Sequence, residues 1–234
     1  MAVMDERTRD RQMIHLSLPA LSDRPLDVLC LGAHADDIEI GCGGTILTLT
    51  TVREVRVRWI VFSASEERAD EAARSAERFL SAASESTVEM HSFRDGYLPH
   101  ERGPVKDEFA ALAADYAPHG GPDMIFTHDE ADLHQDHALI GALTRESFRD
   151  HLVLGYEIPK KDGGLHSPNV LMPLSEAAVH EKVGLLMGGF PSQHAKPWFT
   201  PELFLGLMRL RGMEGCATTG YAEGFHARKV VLDG

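Results

Sequence analysis

The sequence predicts an α/β fold: a doubly wound, mostly parallel, Rossmann-like sheet with helices on both faces and an appended C-terminal layer. Three observations carry this. Short apolar runs bounded by Pro, Gly or charged residues alternate with longer amphipathic segments, the pattern of parallel strands joined by helical crossovers. In the first apolar run, residues 26–31, the apolar residues 28–31 follow one another without alternation, as a strand covered on both faces requires. The length of 234 residues suits one such domain with a sizeable core and leaves no room for a second full one.

Residues 1–24 read as a flexible polar arm, since MAVMDERTRDRQM alternates charges and lacks the apolar run of a secretory signal. Residues 25–234 are expected to form a single domain. Pro25 and Gly32 bracket the first strand. Residues 40–50 carry Gly41, Gly43 and Gly44 before Ile46, Leu47 and Leu49, which fits a helix pressed close against the sheet. A strand at 55–62 precedes a helix at 66–83 with Ala72, Ala76, Phe79 and Leu80 along one face. A third strand is expected at 88–93. A helix at 106–116, closed by Pro118 and Gly120-Gly121, leads to a short strand at 123–127. A helix at 135–149, strands near 152–158 and 170–174, helices at 175–188 and 201–213, and a last strand at 228–232 complete the chain.

Acidic residues number 36 against 23 basic ones, a net charge of -13. Such a surface repels polyphosphate backbones and anionic bilayers, so neither nucleic acid nor a membrane is an expected partner. No apolar stretch approaches the roughly 20 residues that span a bilayer. Cys30, Cys42 and Cys216 are far apart and form no CxxC pair, which points to free thiols in a reducing cytoplasm.

The chemistry sits in two clusters. Gly32-Ala33-His34-Ala35-Asp36-Asp37 ends the first strand, and Asp132-Leu133-His134-Gln135-Asp136-His137 follows the strand at 123–127. Ligands of open α/β sheets gather outside the carboxyl ends of the strands, so the two clusters are expected to converge. A catalytic zinc site takes three protein ligands, His and carboxylate among them, and keeps a position open. Of Asp36 and Asp37, one is expected to ligate and the other to act as general base; spacing does not decide which. Each cluster has a plainer reading, an Asp as helix N-cap or a His as a satisfied core residue. Two clusters mixing the same residue types at one sheet edge favour a site. The glycines do not follow GxGxxG, and two carboxylates stand where a pyrophosphate would bind, which argues against a dinucleotide fold. Nothing local marks Cys42 as a thiolate nucleophile.

Residues 33–46, AHADDIEIGCGGTI, resemble the opening motif of the PIG-L or LmbE-like N-deacetylases. That family normally reads AHPDD here, and Ala35 replaces the proline. Its HxDH signature is matched by His134-Gln135-Asp136-His137. Looser matches run through the chain: Arg68 and Glu71, Asp95-Gly96, Ser192-Gln193, Arg211-Gly212 and Tyr221-Ala222-Glu223-Gly224-Phe225.

The resemblance implies that His34, Asp37 and His137 bind Zn2+, or another divalent ion such as Fe2+, and that Asp36 is the general base. It implies that His134 stabilises the oxyanion or protonates the leaving amine, with Asp136 orienting a histidine, and that Arg68 and Asp95 contact substrate. The expected activity is removal of an acetyl group from an N-acetylated amino sugar by a cytoplasmic enzyme, with assembly as a trimer or hexamer. Two alternatives stand beside it: an amidase for a larger N-acyl group, and a catalytically silent metal- or carbohydrate-binding module. Trp198, Phe199, Met187 and Phe190 are candidate pocket walls, with packing of the C-terminal helices or of a subunit interface as the simpler explanation for all four.

Overall fold

The computed structural model describes residues 16–18, 24–161 and 163–231. Most of the expected N-terminal arm lies outside these residues. Arg24 is described, and its guanidinium donates to both oxygens of Asp123 at 2.6 Å.

Among the described residues seven strands form one sheet: β1 (Leu26–His34), β2 (Val55–Ser63), β3 (Glu85–Met90), β4 (Met124–His128), β5 (Leu152–Tyr156), β6 (Val170–Pro173) and β7 (Ala222–Ala227). Their order is β3-β2-β1-β4-β5-β7-β6. The first five are parallel, whereas β7 runs antiparallel to both β5 and β6. The chain winds one way from β1 to β3 and the other way from β4, so the switch point lies between the carboxyl ends of β1 and β4. Open sheets of this kind bind ligands at that crevice.

Among the described residues six α-helices cover the sheet: α1 (Asp37–Val52), α2 (Glu66–Phe79), α3 (Arg102–Tyr116), α4 (Gln135–Ser147), α5 (Glu176–Gly189) and α6 (Pro201–Glu214). Alternate residues of β1 feed two cores. Val28 and Cys30 join Ile46, Phe79, Leu186 and Phe204 on the α1 face. Leu29 and Leu31 join Phe109, Ile140 and Leu143 under α3 and α4. The expected C-terminal layer takes the form of the antiparallel β6–β7 extension with α5 packed on α1 and α2 and α6 on β7.

The glycines after β1 serve packing. A Cβ at Gly41 would stand 2.3 Å from the Tyr156 ring, one at Gly43 2.6 Å from Phe79, and one at Gly44 2.7 Å from Leu174. Cys42 is buried with its thiol on the Ile38 carbonyl, and burial together with Cys30 pushes its pKa well up, which makes it no nucleophile.

The last strand departs from expectation. It is Ala222–Ala227, not 228–232; of the expected residues, 228–231 follow the strand and 232 lies outside the described ones. Val230 and Val231 are exposed, while Phe225 is buried between β5 and β6. Burial of that ring and two ladders outweigh the weak strand preference of Ala, Glu and Gly. The edge strand β3 begins three residues before the expected 88 and ends at Met90.

Candidate metal centre and catalytic pocket

Both histidine and aspartate clusters meet at the switch point. His34 is the last residue of β1, and Asp37 opens α1 with its Oδ2 accepting the His34 backbone N–H at 2.7 Å. The loop after β4 delivers His134 as the N-cap of α4 and His137 in that helix's first turn. A carboxylate orients each ring. His34 Nε2 lies 3.2 Å from Asp136 and 3.1 Å from Asp95, and His137 Nδ1 lies 3.0 Å from Asp132. Donation from those nitrogens leaves lone pairs on His34 Nδ1 and His137 Nε2.

These two lone pairs and Asp37 Oδ2 converge. The separations are 3.0 Å between the histidine nitrogens, 3.3 Å from His34 to Asp37 and 3.5 Å from His137 to Asp37. A tetrahedral zinc with bonds of about 2.0–2.1 Å places neighbouring donors about 3.3–3.4 Å apart, so the donor set fits such an ion. Three acceptors facing one another repel unless a cation or proton lies between them. Burial alone would lower the pKa of His34, but hydrogen bonds to Asp136, Asp37 and Asp95 raise it well above the usual value.

The other groups divide into a buried support and side chains that line the cavity. Asp136 is fully buried and accepts the N–H groups of Gly96 (2.7 Å) and Leu98 (3.2 Å), so it is occupied as an orienting partner. His134 Nδ1 accepts the Asp136 N–H at 3.2 Å, which leaves the proton on Nε2 as a donor. Burial and the neighbouring His137 and His34 lower its pKa, and burial with the charge of His128 takes His137 down to about 4. Both rings are neutral at neutral pH.

The two adjacent aspartates differ sharply. Burial would raise Asp37, yet His137, His128 and His34 hold it well below the carboxylate range. Asp36 is raised, by burial first, with Arg68 opposing and Asp37 adding to the shift. Its Oδ1 lies 2.8 Å from Arg68 Nη2, whereas Oδ2 is buried with no hydrogen-bond partner among the described residues.

All eight expected site residues come together at this edge of the sheet. A cavity of about 480 Å³ is lined by His34, Asp36, Asp37, Arg68, Asp95, His134 and His137, with Lys160, Gln193 and Trp198 on its walls. Asp136 stands behind His34. Arg68 reaches the cavity while paired to Asp36, and Asp95 is mostly exposed there. Phe190 and Phe199, by contrast, are core residues.

Sequence reasoning missed His128, Asp132, Tyr156 and Lys160. His128 ends β4 and is fully buried, its Nε2 enclosed by the Ala33 N–H (2.9 Å), the Tyr156 hydroxyl (3.2 Å) and Asp37 Oδ2 (3.1 Å). It stacks on His137 at 3.9 Å between centroids, its Nδ1 is buried without a hydrogen-bond partner among the described residues, and Asp37, His128 and His137 form a second group of potential ligands within 4.8 Å of one another. Its place one residue beyond the expected strand was the available signal. Among the looser matched residues three have structural contacts: Glu71 accepts the Ser192 N–H and hydroxyl, Arg211 forks onto Glu157, and Glu223 accepts from Gly44, Thr45 and Lys182.

Comparison with known proteins agrees with this fold. The chain superposes on the conserved protein TT1542 from Thermus thermophilus with a TM-score of 0.66 at 22% identity, covering 89% of this chain and 97% of that one. It matches the A40926 pseudoaglycone deacetylase Dbv21 with a TM-score of 0.64 at 16% identity (90% and 100% covered). For the zinc inhibited form of teicoplanin deacetylase Orf2 the values are 0.62 and 14% (86% and 97% covered). At these identities the likeness is one of fold. The sequence itself matches the family described as PIG-L, GlcNAc-PI de-N-acetylase, over residues 29–148, a span that contains both histidine and aspartate clusters. This chain belongs to the PIG-L family.

Proposed function

We propose that the protein is a zinc-dependent N-deacetylase that removes the acetyl group from an N-acetylated amino sugar. The observation that carries the reading is the convergence of His34 Nδ1, Asp37 Oδ2 and His137 Nε2 within 3.5 Å beside the half-unpartnered carboxylate of Asp36. His34, Asp37 and His137 would hold the ion, Zn2+ or another first-row ion such as Fe2+ that accepts the same donors. When bound, such an ion supplies Lewis acidity, polarising an acyl oxygen and acidifying water.

Asp36 is the general base. Arg68 fixes one of its oxygens, and the other is free to take a proton from the attacking water. Burial brings its pKa upward and so nearer the working pH, which improves the match for proton transfer. His134 donates from Nε2 to the oxyanion that forms as water adds to the carbonyl. Return of the proton from Asp36, or its delivery by His134, to the departing nitrogen releases acetate and a free amine. Arg68 and Asp95 contact polar groups of the substrate, and the half-buried Trp198 offers a flat wall to a sugar ring. The family described as GlcNAc-PI de-N-acetylase supports an amino-sugar substrate. No helix among the described residues is long and apolar enough to cross a membrane.

Asp36→Asn keeps the shape and removes the base. Acetate release from N-acetylglucosamine derivatives is expected to fall by about 10²–10⁴-fold with bound zinc retained. Full activity in that variant refutes the base assignment, and release indifferent to a chelator refutes the metal.

A further inference from the structure

Lys160 lies in the connection that follows β5 and belongs to none of the roles above. Its ammonium contacts both carboxylate oxygens of Asp132, with its side chain 16% exposed and that of Asp132 8% exposed. Asp132 also accepts the His134 backbone N–H at 2.7 Å through Oδ1 and faces His137 Nδ1 at 3.0 Å through Oδ2. Lys160 Nζ itself stands 3.2 Å from His137 Nδ1. One side chain therefore ties the connection after β5 to the loop that carries Asp132, His134 and His137.

The two histidines of the donor set are supported differently. Behind His34 stands Asp136, which sits in the first turn of α4, is fully buried and is pinned by two backbone N–H groups. Behind His137 stands Asp132, which lies in a loop between β4 and α4 and has one backbone N–H on one oxygen. A loop carboxylate held at a single oxygen can rotate. An ammonium across both oxygens leaves it one orientation, the one that accepts from His137 Nδ1 and aims Nε2 at Asp37.

We infer that Lys160 is a positioning residue for the metal centre, locking Asp132 so that His137 presents Nε2 to the ion. The inference rests on His34, Asp37 and His137 being the metal donors. It has a sign that a bystander cation lacks. An ammonium that merely sits near a dication repels it, so its removal tightens metal binding. An ammonium that positions a ligand's partner does the reverse.

The test is zinc affinity of the apoprotein, read by competition with a chromophoric chelator, for wild type, Lys160→Met, Lys160→Arg, Asp132→Asn and the Lys160→Met/Asp132→Asn double variant. Loss of an orienting partner costs about 10–100-fold in metal affinity. Asp132→Asn is expected within that range and Lys160→Met near tenfold, at its lower end. Lys160→Arg should recover most of the loss, because a guanidinium can span both oxygens. In the Asp132→Asn background Lys160→Met should cause no further loss, since the path through the carboxylate is already cut. Equal or tighter zinc binding by Lys160→Met overturns the inference, and so does a loss that persists undiminished in the double variant. If Lys160→Met does not fold, Lys160→Gln carries the same expectations. A wild-type chain that binds no zinc overturns the metal reading beneath the inference; a wild type that binds while Lys160→Met binds as well overturns the inference alone.

Discussion

Replacing Glu223 by Ala is expected to cost about 3–5 kcal/mol of folding stability, the usual effect of breaking a buried ion pair from one side. The Glu223 carboxylate accepts from Gly44 N (2.8 Å), Thr45 N (2.7 Å), Thr45 Oγ1 (2.6 Å) and Lys182 Nζ (2.6 Å), and both charged side chains are almost wholly buried. Without it, Lys182 keeps the Ile40 carbonyl as its hydrogen-bond partner at 2.6 Å, and a buried ammonium is left uncompensated. The ion-pair figure already contains the lost hydrogen bonds, so they are not added to it. For a chain of this size each kcal/mol moves the melting temperature by about 2–4 °C, which places the shift between about 6 and 20 °C. The partner substitution Lys182→Met should be milder, because Glu223 would retain three of its four donors. Urea unfolding followed by far-ultraviolet circular dichroism measures both. A loss below about 1 kcal/mol for Glu223→Ala, or a larger loss for Lys182→Met, refutes the reasoning.

Arg68→Met removes the cation that lowers the pKa of Asp36. A base works only when deprotonated, so the acidic limb of kcat/KM should move to higher pH; an unmoved or lowered limb contradicts Asp36 as the base. Two glycine substitutions separate helix propensity from packing. A Cβ at Gly206 in α6 meets nothing within 4 Å, so Gly206→Ala should stabilise by about 0.5–1 kcal/mol. At Gly43 the same methyl collides with Phe79, and overpacking of about 1–3 kcal/mol should outweigh that gain. Melting curves of the two variants that shift in the same direction would show the packing argument to be wrong.

The chemical clusters were legible in the sequence because two simple rules overlap there. Each lies at the carboxyl end of an apolar run, and the winding order makes those two runs, β1 and β4, neighbours. His128 was not legible, although it sits one position past the expected strand. Its surroundings come from β1, α1 and β5, and a lone histidine after a threonine carries no spacing signal. Asp132 stood inside the quoted cluster, but an aspartate in a loop reads as a turn former until its second oxygen is seen on His137. Lys160 is reached from another connection altogether. β7 was misplaced for a related reason: strand preference is local, whereas the pairing that selects Ala222–Ala227 is with β5 and β6, distant in sequence.

The glycine run joins these two kinds of information. Read locally, Gly41, Gly43 and Gly44 invite a phosphate-binding loop, yet each is small because a particular group lies against the helix. Gly41 admits the Tyr156 ring, whose hydroxyl donates to the Leu31 carbonyl at 2.7 Å and lies 3.2 Å from His128 Nε2. His128 in turn touches the Ala33 N–H beside His34 and the carboxylate of Asp37. A missing side chain on α1 thus sets how closely β5 approaches, and that approach fixes the fully enclosed histidine against which Asp37 and His137 are placed. The precision of the donor set is a consequence of core packing. Residues that never meet the proposed metal position therefore constrain it as firmly as the motif that marks it.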